Sequence, residues 1–280
     1  MMKLFNTIRE TRDFAGSLRE NGLKIGFVPT MGALHEGHLS LVRKAASEND
    51  AVLVSIFVNP IQFNNPEDLK KYPRNLEQDL RLLEPEGCTA VFAPEVSEMY
   101  AGEEQKQFDF GPLALVMEGA FRPGHFNGVA VVVDKLFNIA LPHRAYFGEK
   151  DYQQLQIIKE LARMEHPGIE IVACPISREP DGLARSSRNE RLTAEMRKAA
   201  PYIHLVLEEA INLAGNHTAE EITKFVTYKF ESHPLLRLEY FSIANGETLQ
   251  PVNGKTAPGD RAFIAVFAGE IRLIDNIRLI

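Results

Sequence analysis

Apolar residues along this chain gather in short runs separated by amphipathic stretches. Residues 24–29 (KIGFVP) predict a strand, and 38–49 predict a helix with Leu39, Leu41, Val42, Ala45 and Ala46 on one side. Residues 51–58 (AVLVSIFV) are almost unbroken in their apolar, β-branched character. Bounded by Asp50 and the Asn59-Pro60 turn, they fit a strand buried on both faces of a parallel sheet. The pattern continues with a helix over 75–83, a strand over 89–93, a helix over 128–140, a strand over 145–147, a helix over 151–164 and a strand over 169–173. Such alternation predicts a doubly wound parallel α/β sheet with helices on both faces. After Cys174 the pattern changes. Residues 175–189 are rich in turn formers and basic side chains; helices are expected over 193–214 and 219–231, and strands over 236–243 and 261–268 close the chain. A smaller α+β domain over 177–280 is therefore expected to follow a first domain over 1–176.

Composition narrows the class. The 280 residues are 45% hydrophobic and 25% charged, enough to bury a core and too apolar for a disordered chain. No run approaches the roughly 18 consecutive apolar residues of a membrane span. After Lys3 the N-terminus meets charge again at Arg9 and carries no secretory apolar segment, so a cytoplasmic protein is expected. A net charge of -7 argues against surface-wide attraction to nucleic acid or anionic lipid. The only two cysteines, Cys88 and Cys174, adjoin apolar runs and read as buried, reduced thiols.

Candidate chemistry sits in three places. PTMGALHEGH (29–38) leaves the first strand and enters the next helix, where ligands bind in open α/β sheets. A helix start offers bare N–H groups and partial positive charge, and Gly32 and Gly37 let backbone approach a ligand closely. His35 and His38, three apart, suit neutral imidazoles that donate to phosphate oxygens. Zinc would require the wider HExxH spacing, and a plain structural turn does not account for both glycines and both histidines at this position. FGEKDYQQ (147–154) is a second strand-to-helix passage; Lys150 suits a phosphate, and Asp151 suits a helix cap or a ribose hydroxyl. Gln153 and Gln154 by themselves read as an ordinary polar helix face. The third place is Arg185-Ser186-Ser187-Arg188-Asn189, whose hydroxyls and guanidinium can cradle a triphosphate, although alone it reads as a solvated linker. No GxxxxGK[ST] loop and no GxGxxG fingerprint occurs, which disfavours a P-loop ATPase or a dinucleotide dehydrogenase.

The HxGH element with a late serine- and basic-rich loop resembles the nucleotidyltransferase superfamily, with its Rossmann-like fold. Five blocks in order narrow the resemblance further: PTMGALHEGH, FVNPIQFNNPEDLKKYPR (57–74), FRPGHFNGV (121–129), AYFGEKDYQQ (145–154) and DGLARSSRN (181–189) resemble the pantothenate synthetase (pantoate–β-alanine ligase) family. The resemblance implies ATP-dependent condensation of (R)-pantoate with β-alanine through a pantoyl adenylate, with Mg2+, in a homodimer that binds neither nucleic acid nor membrane. It implies ATP contacts from Met31, Gly32, Ala33, Leu34, His35, Glu36, Gly37 and His38, with His38 as proton donor. Gly148, Glu149, Lys150 and Asp151 are implied around the nucleotide, as are Ser177, Arg185, Ser186, Ser187 and Arg188. Gln62 and Gln154 are implied to hold pantoate, with Gln62 also near β-alanine. His35, His38 and Lys150 are the implied catalytic groups, and residues 177–280 an implied lid. Arg185 and Ser177 stand where the family usually carries apolar residues and are expected to reach nucleotide through backbone. For the metal, Gln78 and Asp79 compete with the reading of a solvated helix face. Two other classes stay in view: a nucleotidyltransferase with a phosphorylated acceptor, which would want a cationic acceptor site, and a non-catalytic nucleotide sensor, which would not need both histidines and Lys150.

Overall fold

A computed structural model describes residues 2–102 and 106–280. In chain order the elements are β1 (Lys3–Phe5), α1 (Ile8–Glu20), β2 (Ile25–Thr30), α2 (Glu36–Glu48), β3 (Ala51–Ile56), α3 (Pro66–Lys71), α4 (Leu76–Leu83), β4 (Ala90–Phe92), α5 (Val96–Met99), α6 (Glu118–Phe121), α7 (His125–Ala140), β5 (Arg144–Gly148), α8 (Tyr152–Glu165), β6 (Glu170–Cys174), α9 (Ala194–Ala199), α10 (Tyr202–Leu213), α11 (Ala219–Glu231), β7 (Leu236–Asn245), β8 (Asp260–Ala268) and β9 (Ile271–Arg278). They form two compact units. One comprises the described residues up to Phe110 with Arg122–Glu149 and Gln154–Pro175; the other comprises Gly111–Phe121, Lys150–Gln153 and Ile176–Ile280.

The first unit is built on a six-stranded sheet in the order β1-β4-β3-β2-β5-β6, every pairing parallel. The apolar run of β3 explains its place: Ala51 to Ser55 are all buried, as a strand covered on both faces requires. β2 lies between β3 and β5, so the order reverses there, and the crevice at its C-terminal end is the position where such sheets bind ligands. Val28, Val52, Val54 and Val91 pack with Leu39, Leu41, Val42 and Ala45 of α2 on one face. Fully buried side chains of this kind each contribute about 1.5–3 kcal/mol. Cys88 and Cys174 are free and buried, and burial pushes their thiols up to about 12 and about 11. They are inert at neutral pH.

The second unit packs α10 and α11 on the antiparallel sheet β7-β8-β9. Ile203, Val206, Leu207, Ile222, Val226 and Phe230 meet Ile264 and Val266 in its core. Here the structure departs from the sequence expectation. Residues 193–214 form two helices rather than one, because Pro201 cannot donate to the helix ladder and starts a new one. A third strand, β9, follows the two expected ones. In the first unit β1, α1 and the short helices α3 and α5 are likewise additional, as is α6 in the second. The helix after β2 begins at Glu36 instead of residue 38, with His35 as its cap.

Candidate active site

The loop after β2 is held by its own residues and by one neighbour. Thr30 Oγ1 donates to Ser55 O (2.7 Å) and accepts from Gly32 N–H (3.2 Å). Gly32 (φ +76°) and Ala33 (φ +49°) are both left-handed, which turns the chain sharply out of the sheet. His35 then caps α2 in a reciprocal arrangement: its Nδ1 accepts from Gly37 N–H (3.1 Å), while His38 Nδ1 accepts from His35 N–H (3.3 Å). The rings lie 4.1 Å apart, tilted by 37°. An imidazole whose Nδ1 accepts carries its proton on Nε2. Each ring can therefore present an Nε2–H donor at the positive end of α2. Glu36, beside them, is engaged by Arg43. Met31 and Gly37 are half-buried on the same loop.

Asp79 of α4 is 2% exposed and accepts from Ala33 N–H (3.1 Å) and Leu34 N–H (2.8 Å). The solvated-face reading of this residue is thereby corrected: only Gln78, which closes on the Asn75 cap, is exposed. Among the described residues no group of three or more His, Cys, Asp or Glu gathers as a metal site.

Gln62 sits in a short 3-10 turn, Pro60–Gln62. Its Nε2 lies 3.2 Å from Met31 Sδ and its Oε1 accepts from Asn59 Nδ2 (3.2 Å), so two residues picked from separate motifs meet. Asn59, 1% exposed, also donates to Gly128 O (3.0 Å) and accepts from Tyr100 OH (2.8 Å). A Cβ at Gly128 would stand 2.6 Å from Ile61 O, so only glycine lets α7 approach this turn. The His125 ring and Arg122 bond to Gln62 O at 2.8 and 3.4 Å. Gln154 is half-buried in the first turn of α8. Gln153 is not a polar surface residue: it is 3% exposed, donates to Leu113 O and Val116 O, and accepts from Glu118 N–H.

Gly148 ends β5, the strand beside β2. The turn Glu149–Asp151 follows; the Lys150 side chain is 18% exposed with its Nζ 3.6 Å from Asp151 Oδ1. Lys150 O accepts from Asn276 Nδ2 of β9 (3.0 Å). The same strand organises the root of the serine loop. Arg178 forks onto Asp275 (2.6 and 3.0 Å) and donates to Gly182 O and Asn276 O. Arg178 and Ala184 form an antiparallel bridge, and Arg185 N–H donates to Ser177 O (3.0 Å), which joins those two expected contacts to each other. The Arg185 side chain turns back to Glu179 (3.1 Å) and Arg178 O. Ser186 Oγ caps the turn Ser187–Arg191 by accepting from Arg188 N–H (3.3 Å); Ser187 is buried. Thus β9 ties Lys150 and the serine loop together in the second unit. Sequence reasoning read Asn59 only as one of several neutral amides after the second strand, and passed over Gly128, Arg178, Asp275 and Asn276. Only Gly128 and Asn59 carried a signal, as members of recognised blocks.

Comparisons with known proteins agree with one another. The family model described as pantoate-beta-alanine ligase matches residues 3–278. The pantothenate synthetase of Bacteroides fragilis is 52% identical over 278 residues, 99% of each chain, and that of Christiangramia forsetii is 55% identical over 265 residues, 94% of each. Among solved structures, pantothenate synthetase from Thermus thermophilus matches with a TM-score of 0.91 at 43% identity, covering 99% of both chains. The pantoate-beta-alanine ligase of Francisella tularensis, complexed with beta-gamma ATP and beta-alanine, matches with a TM-score of 0.83 at 38% identity, covering 100% of this chain and 98% of that one.

Proposed function

Because the chain belongs to the pantoate–β-alanine ligase family, we propose that it condenses (R)-pantoate with β-alanine, converting ATP to AMP and pyrophosphate. The single observation that carries the reading is the pair of reciprocally capped histidines at the end of β2, the strand where the sheet order reverses.

A carboxylate resists attack by an amine because it is anionic and has no good leaving group. In the proposed first step a pantoate carboxylate oxygen bonds to the α-phosphorus of ATP, the bond to the β-phosphate bridge breaks, and pyrophosphate departs with its electron pair. In the second step the β-alanine amine attacks the acyl carbon, the carbon–oxygen bond to phosphate breaks, and AMP leaves; the amine gives up a proton. Both partners of the first step are anions, so charge stabilisation and positioning dominate the barrier. His38 and His35 supply Nε2–H hydrogen-bond donors without demanding protonated rings, His38 donating to the departing pyrophosphate while keeping its proton. Lys150 and Arg188 supply fixed positive charge. The loop from Met31 to His38, the turn Gly148 to Asp151, Ser177, Arg185, Ser186 and Ser187 complete the surroundings of the nucleotide. Gln62 and Gln154 hold pantoate oxygens through neutral amides, which add no charge beside the phosphates. Mg2+ enters with ATP as part of the substrate. Such an ion would be held mainly by phosphate oxygens and water, and would offset the charge of the triphosphate.

The reading extends to a C-terminal lid that keeps water from the adenylate, a homodimer, no role for nucleic acid, and a cytoplasmic location. The last draws support from the described residues containing no helix long and apolar enough to cross a membrane. Exchange of labelled pyrophosphate into ATP tests the reaction: it is expected to require pantoate, and AMP is expected to accumulate only when β-alanine is added. Exchange indifferent to pantoate overturns the reading.

A further inference from the structure

We propose that Asp79 is a positioning residue for the nucleotide loop, an internal anion that holds the backbone of Ala33 and Leu34, and not a metal ligand. The proposal rests on the functional reading above for the loop's role. Three observations of different kinds meet at this carboxylate. Its two oxygens accept from two consecutive backbone N–H groups, Oδ2 from Ala33 at 3.1 Å and Oδ1 from Leu34 at 2.8 Å. The segment it grips is conformationally uphill: Gly32 and Ala33 both have positive φ, and alanine enters that region only when its surroundings impose it. The fit is also tight, since a Cβ on Gly32 would stand 2.9 Å from Asp79 Oδ2 and 3.1 Å from Ile56 Cγ2.

Consecutive N–H groups around a left-handed residue form a concavity that binds anions. In this loop the concavity is filled by the protein's own carboxylate, 2% exposed. A phosphate approaching the loop then meets the donors further along, the start of α2 and the two imidazoles, while Ala33 and Leu34 serve as the buried footing on which His35 stands. Sequence spacing hides this relation, because Asp79 is 46 positions from Ala33 and looks like any acidic residue in a helix's first turn.

Hydrogen exchange and steady-state kinetics together decide it. In the wild-type protein the Ala33 and Leu34 amides are expected to exchange about 100-fold more slowly than in an unstructured chain. Asp79→Asn keeps the shape but turns an NH2 toward one of the two N–H donors. It is expected to speed exchange across residues 31–38 and raise KM for ATP about tenfold or more, with KM for β-alanine and the half-saturating Mg2+ concentration changed by less than about twofold. A tenfold shift in the Mg2+ requirement with unchanged exchange would mark a metal ligand and overturn the proposal; so would unprotected wild-type amides. If Asp79→Asn does not fold, Gly32→Ala presses on the same carboxylate from the other side and is expected to raise both the exchange rates and KM for ATP. Calorimetric titration of the wild type with ATP separates the two levels. No binding overturns the functional reading, and exposed Ala33 and Leu34 amides with intact ATP binding overturn the Asp79 role alone.

Discussion

The histidine loop and the lysine–serine assembly are built by opposite means. His35 and His38 are oriented by bonds that span two and three residues, so the rings are placed wherever α2 starts. Lys150 and the serine loop are tied to β9 by bonds that span 126 and 97 residues, through Asn276 to the carbonyl of one and through Asp275 to Arg178 at the root of the other. The ring-to-backbone bonds of the first arrangement need only one turn of helix, although the footing beneath them is held by Asp79 from 46 positions away. The second exists only when the last strand of the chain is in register. One set of donors is therefore a local property of sequence, and the other is a property of the finished fold.

The largest effect is expected at the long-range tie. Asp275→Ala leaves the Arg178 guanidinium without its carboxylate in a mostly buried site, and urea unfolding is expected to show a loss of about 3 kcal/mol or more. His35→Ala removes only a helix cap, with an expected loss of about 1 kcal/mol. Equal costs would erase the distinction. Next in size is the chemical effect of the local element. His38→Ala is expected to lower pantoate-dependent pyrophosphate exchange about 100-fold, the scale of a lost transition-state contact, with little change in the urea midpoint. A smaller effect is expected at the foot of β2, the end opposite the histidine loop, where the first N–H of the strand is held by a distant residue. His143 Nδ1 accepts from Ile25 N–H (3.0 Å), and burial, with Arg19, Lys24 and Arg144 nearby, lowers its pKa below 6.5. The unfolded chain then binds this proton more readily than the folded one. The contribution is complete above 6.5 and is lost as pH falls below it. Stability is expected to drop modestly between about pH 7.5 and about pH 5.5, and His143→Asn is expected to flatten that slope.

The same contrast governs what could be read from sequence. β2 to β6 and α11 were legible because runs such as AVLVSI and the Thr218–Glu221 capping box declare themselves within a few residues. The HxGH loop was legible for the same reason. α1 was not: of its 13 residues only Thr11 and Ala15 are buried, so its apolar stripe is thin, although Thr7 capping Glu10 N–H was a usable mark. β9 was missed because Asp275 and Asn276 interrupt its apolar alternation. Both are buried, at 5% and 1% exposure, and both serve as ties, so the residues that hide the strand are the ones that make it matter.

The uniform direction of the six-stranded sheet has a practical corollary. Every loop implicated in chemistry in that unit leaves the strands at one rim. Among the described residues the opposite rim carries returns such as 21–24, where Gly22 is exposed and a side chain added to it would meet open space. A spectroscopic label or an affinity handle grafted at that return would report on the molecule from the rim remote from its reagents.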